Sequence, residues 1–175
     1  MSNQQTKSST NPVSKSWVEQ AETTKISKQE NSLEKKEFIS IIVFQVEGDS
    51  YGVPISDVRE IVPVPHITPL PQSPAHMLGV CNIRGTVIAV IDATKRMQNK
   101  SYGTAEGFVL MLKNEEIKAG LLVRQVPKTI TIDIQLINRS SAVLQSLDTK
   151  DQYITGLFKH EDQMIQMVDL LSLIG

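Results

Sequence analysis

The amino-acid sequence predicts an all-β protein built from small closed barrels. Short apolar runs rich in Val and Ile recur along the chain, and turn residues separate them about every ten positions. Aromatic residues make up only 5% of the chain, so its 40% hydrophobic content is mainly aliphatic and suits strands. Six of the eight prolines lie between Pro54 and Pro74, which excludes a helix interior there. The pattern does not fit alternating strands and helices.

Residues 1–37 are predicted to form a disordered polar tail. They are rich in Ser, Thr, Gln, Asn, Lys and Glu, and their few apolar side chains follow neither helical nor strand spacing. Trp17 could anchor a short motif in a partner, although an unstructured tail without that role is the simpler interpretation. The folded domain is therefore expected to span residues 38–175.

Two hairpins separated by an extended loop are predicted in the first half of this domain. The first hairpin begins at Phe38 and turns at Glu47-Gly48-Asp49. The second spans Gly79 to Asp92 and reverses at Arg84-Gly85. Prolines lack an N–H donor, so the stretch between the hairpins is predicted to be mostly loop. The exception is Ile55 to Ile61, where Ser56 can cap a short turn and the following residues form one helical face or the start of a strand.

The second half repeats the strand pattern after a polar break at 95–107. Its predicted strands are 108–112, 117–126, 130–134, 153–158 and 164–168. The apolar residues Leu170, Leu171, Leu173 and Ile174 can form a short helix that covers the end of a barrel.

Charge and cysteine content exclude several classes of protein. The formal net charge is -1, with 18 basic and 19 acidic residues, so the chain has no electrostatic footprint for nucleic acid. An oligonucleotide-binding barrel also needs exposed aromatics, whereas the aromatics here occupy strand-core positions. A lone cysteine fits a reducing compartment, the N-terminus is polar, and no apolar run approaches the roughly 18 residues of a membrane span. We therefore expect a cytoplasmic protein without membrane insertion.

Side chains that could carry catalysis or bind a metal are few. A small hydrolase using Cys81 and His76 is a remote alternative, because Cys81 lies mid-strand in an apolar run and is expected to be a small buried hydrophobe. His66 and His76 flank the proline loop without the carboxylates or cysteines of a zinc site. No phosphate-binding glycine loop occurs. The sequence predicts no enzyme, no cofactor and no metal.

Two charged residues are unusual for their surroundings. Glu60 lies within Val58-Arg59-Glu60-Ile61, and Arg84 occupies a tight turn that usually carries Asn or Asp before Gly. An arginine there suggests a guanidinium held by a carboxylate or by a partner, and spacing alone leaves an ordinary solvated charge equally open.

Four segments occur in a characteristic order and spacing: the strand at Phe38, the returning strand at Tyr51-Gly52-Val53, the motif Val58-Arg59-Glu60-Ile61, and Gly79 to Asp92. In this order and spacing they resemble the CheW family of bacterial chemotaxis coupling proteins. The resemblance continues through Gly120-Leu121-Leu122-Val123 and Ile154-Thr155-Gly156 and covers about residues 38–175. It implies two intertwined five-stranded SH3-like β-barrels around a shared hydrophobic core, with short helices and no active site.

The resemblance also implies partners and binding residues. Proteins of this family bridge the cytoplasmic tips of methyl-accepting chemotaxis proteins to the regulatory domain of the histidine kinase CheA in membrane-associated signalling arrays. The family's receptor-facing residues correspond to Val58, Glu60, Gly79 and Arg84, with Glu60 and Arg84 expected to pair. The proline segment is the candidate for the kinase-facing edge, through Val64, Ile67, Pro69 and Leu70.

Three positions depart from the family's usual pattern. Ala89 stands where Pro is common, Ala93 where Leu usually follows the aspartate, and Arg124 where an Asp often follows the strand. Arg124 reverses a charge and is expected to alter which receptor or kinase is matched. An adaptor for a paralogous kinase pathway, such as type IV pilus motility, is therefore an alternative. The end of the sequence at Gly175 leaves no room for the receiver domain of the related CheV proteins, so we expect an adaptor of the CheW kind.

Overall fold

A computed structural model of the chain describes residues 36–100, 106–140, 144 and 152–175. The predicted disordered tail, including Trp17, lies outside these residues apart from its last two positions. Among the described residues, no helix is long and apolar enough to cross a membrane.

The described strands form two five-stranded sheets, which we call barrel 1 and barrel 2. Barrel 1 contains β1 (Phe38–Val46), β2 (Asp49–Pro54), β8 (Lys128–Asp133), β9 (Ile154–His160) and β10 (Gln163–Val168), in the order β8-β1-β2-β10-β9. Barrel 2 contains β3 (Val58–Pro63), β4 (Met77–Ile83), β5 (Thr86–Asp92), β6 (Phe108–Leu112) and β7 (Ala119–Val123), in the order β3-β6-β7-β5-β4. The chain leaves barrel 1 after β2, builds all of barrel 2 and then returns, which confirms the intertwined arrangement.

Short helical segments complete the fold. Helix α1 (Ala93–Gln98) follows β5, and helix α2 (Leu170–Ile174) follows β10. Each begins after an aspartate, Asp92 or Asp169, whose carboxylate accepts two backbone N–H groups of the first turn. Single 3-10 turns span Ile55–Asp57 and Ile134–Leu136. The predicted C-terminal helix is thus confirmed.

Two sequence predictions about helical turns need correction. The polar break at 95–107 contains most of α1, a six-residue helix stabilised by the Asp92 cap. Ser56 does not cap the turn after β2, because the residue at that position is Pro54 and the Ser56 hydroxyl donates to the Asp57 carboxylate instead.

One backbone bridge closes each sheet. In barrel 2, Thr68 of the proline segment exchanges two backbone hydrogen bonds with Val80 of β4, at 2.8 and 2.9 Å. In barrel 1, Asn138 makes the same exchange with Leu157 of β9, also at 2.8 and 2.9 Å. The segment after one edge strand therefore contacts the opposite edge strand, which leaves fewer unpaired backbone groups.

The two halves of the chain are structural repeats of one another. Strands β1 to β5 with α1 correspond to β6 to β10 with α2, and both barrels contain one parallel pair, β2 with β10 and β5 with β7. Gly52 lies opposite Met167 in one parallel pair and Gly120 lies opposite Val90 in the other. The β4–β5 and β9–β10 hairpins carry their register shifts at matching positions. Equivalent residues can therefore be compared between the barrels.

Three apolar clusters hold the domain together. Barrel 1 encloses one cluster, which includes Ile41, Phe158 and Ile165. Barrel 2 encloses a second, which includes Ile88 and Leu122. The largest cluster takes side chains from both sheets and both helices and is the shared core that the family resemblance implied. Its members include Ile42, Phe44, Val53, Leu110, Leu121, Leu170 and Leu173.

Candidate functional site

The predicted pairing of Glu60 and Arg84 is present. The Nε atom of Arg84 lies 3.0 Å from Oε2 of Glu60. The Arg84 side chain is 80% exposed, whereas that of Glu60 is only 24% exposed. Glu60 is on β3 and Arg84 follows β4, at the two edges of the same sheet. The ion pair thus crosses the seam where barrel 2 closes and leaves most of the guanidinium available to a partner.

The Arg84-Gly85 turn has a demanding backbone conformation. Ile83 pairs with Thr86, so the loop contains only two residues, and both have positive φ, +50° at Arg84 and +84° at Gly85. Positive values at both positions mark a type I′ turn, which favours Asn-Gly. A left-handed conformation costs a residue other than glycine about 1–2 kcal/mol. The side-chain carbonyl of Asn82 accepts the Gly85 N–H at 2.8 Å and helps to stabilise this turn.

Val58 and Gly79, the other two receptor-facing candidates, are buried. Val58 packs into the shared core, because a register shift between Val58 and Glu60 turns the two side chains to different faces of β3. Gly79 has φ +140°, and a Cβ there would overlap the carbonyl oxygen of Thr68. Gly156 occupies the equivalent place in barrel 1, where a Cβ would lie 2.7 Å from the Ile137 side chain. Val58 and Gly79 therefore support the candidate site from the protein interior.

The four kinase-facing candidates divide into two pairs. Val64 and Ile67 are half-buried and pack against the interior cluster of barrel 2. Pro69 and Leu70 are exposed and follow the Thr68 bridge to β4. The segment is consequently anchored by its first two apolar residues and presents the last two to solvent.

Arg124 has a structural partner. Its Nη2 atom lies 2.7 Å from Oδ2 of Asp92, a carboxylate that is 1% exposed. The other oxygen of Asp92 accepts the N–H groups of Thr94 and Lys95. Arg124 therefore neutralises a buried carboxylate that also caps α1, and this contact gives a structural reason for a basic residue at this position.

The Cys81 and His76 pair does not have the features of a nucleophile and its base. Cys81 is buried in the barrel 2 cluster, and burial raises the pKa of its thiol. A raised pKa disfavours the reactive thiolate. The pKa of His76 is lowered, first by burial and second by the nearby Arg96 guanidinium. Among the described residues, no group of three or more His, Cys, Asp and Glu side chains could hold a metal.

Sequence reasoning missed three residues around the ion pair. Asn82 supports the turn, because its side-chain oxygen accepts the backbone N–H three residues further along the chain, a local bond that asparagine often makes at turns and caps. Val87 lies opposite Asn82 and is 59% exposed, and Ile61, next to Glu60, is also exposed. Val87 is therefore an exposed apolar side chain on the hairpin that carries Arg84, whereas the side chain of Ile61 lies on the opposite face of β3 from that of Glu60. Only the strand register reveals that Asn82 and Val87 are neighbours.

Comparison with known proteins identifies the family. Residues 40–175 match the family model described as CheW-like domain. The chain is 31% identical over 136 residues to a probable chemotaxis protein CheW of Rhizobium etli, covering 77% of this chain and 86% of the relative. It is 26% identical over 146 residues to a chemotaxis protein CheW of Treponema pallidum, covering 79% and 84%.

A solved structure agrees with these relatives. The crystal structure of a scaffolding protein, TtCheW of Thermoanaerobacter tengcongensis, superposes with a TM-score of 0.67 at 30% identity, covering 81% of this chain and 90% of that one. The family match spans both barrels and all four receptor-facing candidates. The chain therefore belongs to the CheW-like family.

Proposed function

We propose that this chain is a chemotaxis adaptor that couples methyl-accepting chemoreceptors to the histidine kinase CheA. Membership in the CheW-like family supports a non-catalytic scaffold role in chemotaxis. A scaffold needs stable surfaces rather than a reactive centre, and the buried thiol of Cys81 agrees with that requirement. The working location is the cytoplasmic side of the membrane, at receptor arrays.

The receptor-facing surface of the proposal is the seam of barrel 2. The observation that carries it is the Glu60–Arg84 ion pair, which holds an exposed guanidinium at the turn of the β4–β5 hairpin, and the same hairpin carries the exposed apolar residue Val87. Arginine is favoured at protein interfaces because its fork of donors binds carboxylates and its plane packs against apolar groups. Val58 and Gly79 take part by shaping the strands that carry this surface.

The kinase-facing surface of the proposal is the exposed end of the proline segment. Pro69 and Leu70 present apolar surface, and Val64 and Ile67 anchor the segment in barrel 2. Proline limits the conformational freedom of this loop, so less entropy is lost when a partner binds it. The Thr68 bridge to β4 places this segment next to the β4–β5 hairpin.

Binary binding assays test the proposal. The purified chain is immobilised and exposed separately to soluble receptor tips and to the CheA regulatory domain of the same organism. Binding to each is the expected result, and absence of binding to both refutes the adaptor function. Binding to the kinase domain alone refutes the receptor half of the proposal.

A second candidate is an adaptor for a paralogous kinase pathway, such as type IV pilus motility. The observation that favours it is that three residues, Ala89, Ala93 and Arg124, depart from the sequence pattern on which the family resemblance rests. Arg124 is engaged with the Asp92 carboxylate, which weakens the idea that it selects the partner. Affinity for the regulatory domains of every CheA paralogue in one genome discriminates the two functions.

A further inference from the structure

We infer that Asn82 is a positioning residue for Arg84. Its side chain stabilises the turn that holds the Arg84 guanidinium in the geometry that a receptor recognises. The inference rests on the proposed receptor-facing role of Arg84. It adds a residue that the family resemblance did not assign and a mechanism, the stabilisation of one turn conformation.

The local geometry is the first step. Asn82 lies two residues before Arg84, and its side-chain oxygen accepts the N–H of Gly85 at 2.8 Å. This bond spans the two-residue turn and fixes the peptide that follows Arg84. Because the left-handed conformation at Arg84 is intrinsically unfavourable, a turn without the bond has less to keep it in place. The 3.0 Å contact between Arg84 and Glu60 depends on the resulting direction of the arginine side chain.

Barrel 1 is an internal control for this turn. The two hairpins have matching registers, so Lys159 is equivalent to Asn82, and the turn residues Glu161 and Asp162 are equivalent to Arg84 and Gly85. Glu161 has φ +53°, close to the value at Arg84. Asp162, unlike Gly85, does not have a positive φ, so the barrel 1 hairpin reverses through a different two-residue turn. A hairpin at this place in the fold therefore does not require a type I′ turn supported by an asparagine side chain.

The ion pair is also specific to barrel 2. In barrel 2, Glu60 pairs with Met111, and Met111 pairs with Gly120. In barrel 1, Lys128 pairs with Val43, and Val43 pairs with Gly52, the equivalent of Gly120. Lys128 therefore occupies in barrel 1 the place that Glu60 has in barrel 2. The charges are thus reversed, with a lysine for Glu60 and Glu161 for Arg84. Among the ion pairs of the described residues, none joins Lys128 to Glu161. Among the described residues, the Asn82 side-chain bond and the ion pair occur together in barrel 2, and neither has an equivalent in barrel 1.

Asparagine and arginine therefore act as one unit. Barrel 1 closes its hairpin through a different turn and without either residue, so closing a barrel of this fold does not in itself require them. What they produce together is an exposed guanidinium held in one orientation before a partner arrives. Pre-organisation of this kind increases affinity by lowering the entropy lost on binding.

The test compares Asn82→Ala, Asn82→Asp and the matched control Lys159→Ala. The side-chain Nε–H NMR signal of Arg84, assigned by its loss in Arg84→Lys, reports the ion pair without any partner. Receptor-tip affinity is measured on the same samples. We expect Asn82→Ala to broaden or shift the Arg84 signal and to weaken receptor binding about three- to tenfold, the range for one hydrogen bond. Asn82→Asp retains an acceptor oxygen and is expected to restore both readouts.

The outcomes separate positioning from general destabilisation. Lys159→Ala is expected to leave the Arg84 signal and receptor affinity unchanged, and thermal unfolding of all variants is recorded. An unchanged Arg84 signal in Asn82→Ala overturns the inference, as does a loss that Asn82→Asp does not restore. If the signal changes but Arg84→Glu leaves receptor binding intact, positioning is confirmed while the proposed receptor-facing function fails.

Discussion

Reversing the charge of Arg84 separates a binding role from a structural one. Arg84→Glu removes the ion pair and places a second carboxylate beside Glu60. Arg84 is 80% exposed, and pairs of this kind contribute only about 0.2–1 kcal/mol to stability. Repulsion between the two carboxylates adds a loss of similar size. At about 2–4 °C per kcal/mol for a domain of this size, the unfolding midpoint is therefore expected to fall by no more than about 8 °C.

The expected loss of receptor binding is much larger. Truncating one partner of a charge pair that is buried in a complex costs about 2–5 kcal/mol. At 1.4 kcal/mol for each factor of ten, this corresponds to a loss of affinity of about thirtyfold or more. In the double variant Arg84→Glu with Glu60→Arg, the two charges are exchanged, and binding is expected to recover at least partly.

Titration calorimetry with soluble receptor tips measures these affinities, and calorimetric unfolding measures stability. Lys159→Glu makes the same charge change on the equivalent hairpin of barrel 1 and serves as the control. If Arg84→Glu binds as tightly as the parent chain, Arg84 is not part of the receptor surface. If the double variant recovers nothing, the pair does not act as a unit in the complex.

Three further predictions follow from the surrounding structure. Gly79→Ala is expected to lower the free energy of unfolding by more than about 3 kcal/mol, because the new Cβ overlaps a backbone carbonyl. The control Gly48→Ala places its Cβ in open space and is expected to lower it by about 1 kcal/mol. Equal losses in thermal unfolding contradict the close-approach argument. Arg124→Ala leaves the buried Asp92 carboxylate without the Arg124 guanidinium and is expected to lower the free energy of unfolding in urea by about 3 kcal/mol. An unchanged unfolding midpoint shows that Arg124 does not stabilise the protein by neutralising Asp92. The lowered pKa of His76 means that the unfolded chain binds more protons, so stability falls as pH drops below 6.5, and His76→Gln is expected to flatten that slope.

Much of the fold follows from local patterns in the sequence. Runs of β-branched residues predict the strands, and the Gly79 to Asp92 hairpin turns at the predicted residues. The terminal helix is also visible as an apolar run after Asp169. Helix α1 was missed because it is polar and short, and its strongest signal is a single capping aspartate that also ends a strand.

Only part of the candidate site was predictable, because local sequence patterns do not reveal register shifts or long-range contacts. Glu60 and Arg84 are distinguished by composition and motif, but the burial of Val58 depends on a register shift that no local pattern reveals. Arg124 meets Asp92 across 32 residues and two parallel strands. Long-range contacts of this kind come from topology rather than local propensity, so the sequence suggested a surface role for a side chain that is mostly enclosed.

The most direct test of the adaptor function is co-sedimentation of CheA with receptor assemblies, with and without this chain. If the chain couples the two, CheA is expected to sediment with receptors in proportion to the amount of chain added, and Arg84→Glu is expected to abolish that effect. Equal sedimentation of CheA without the chain, or no sedimentation with it, contradicts the account.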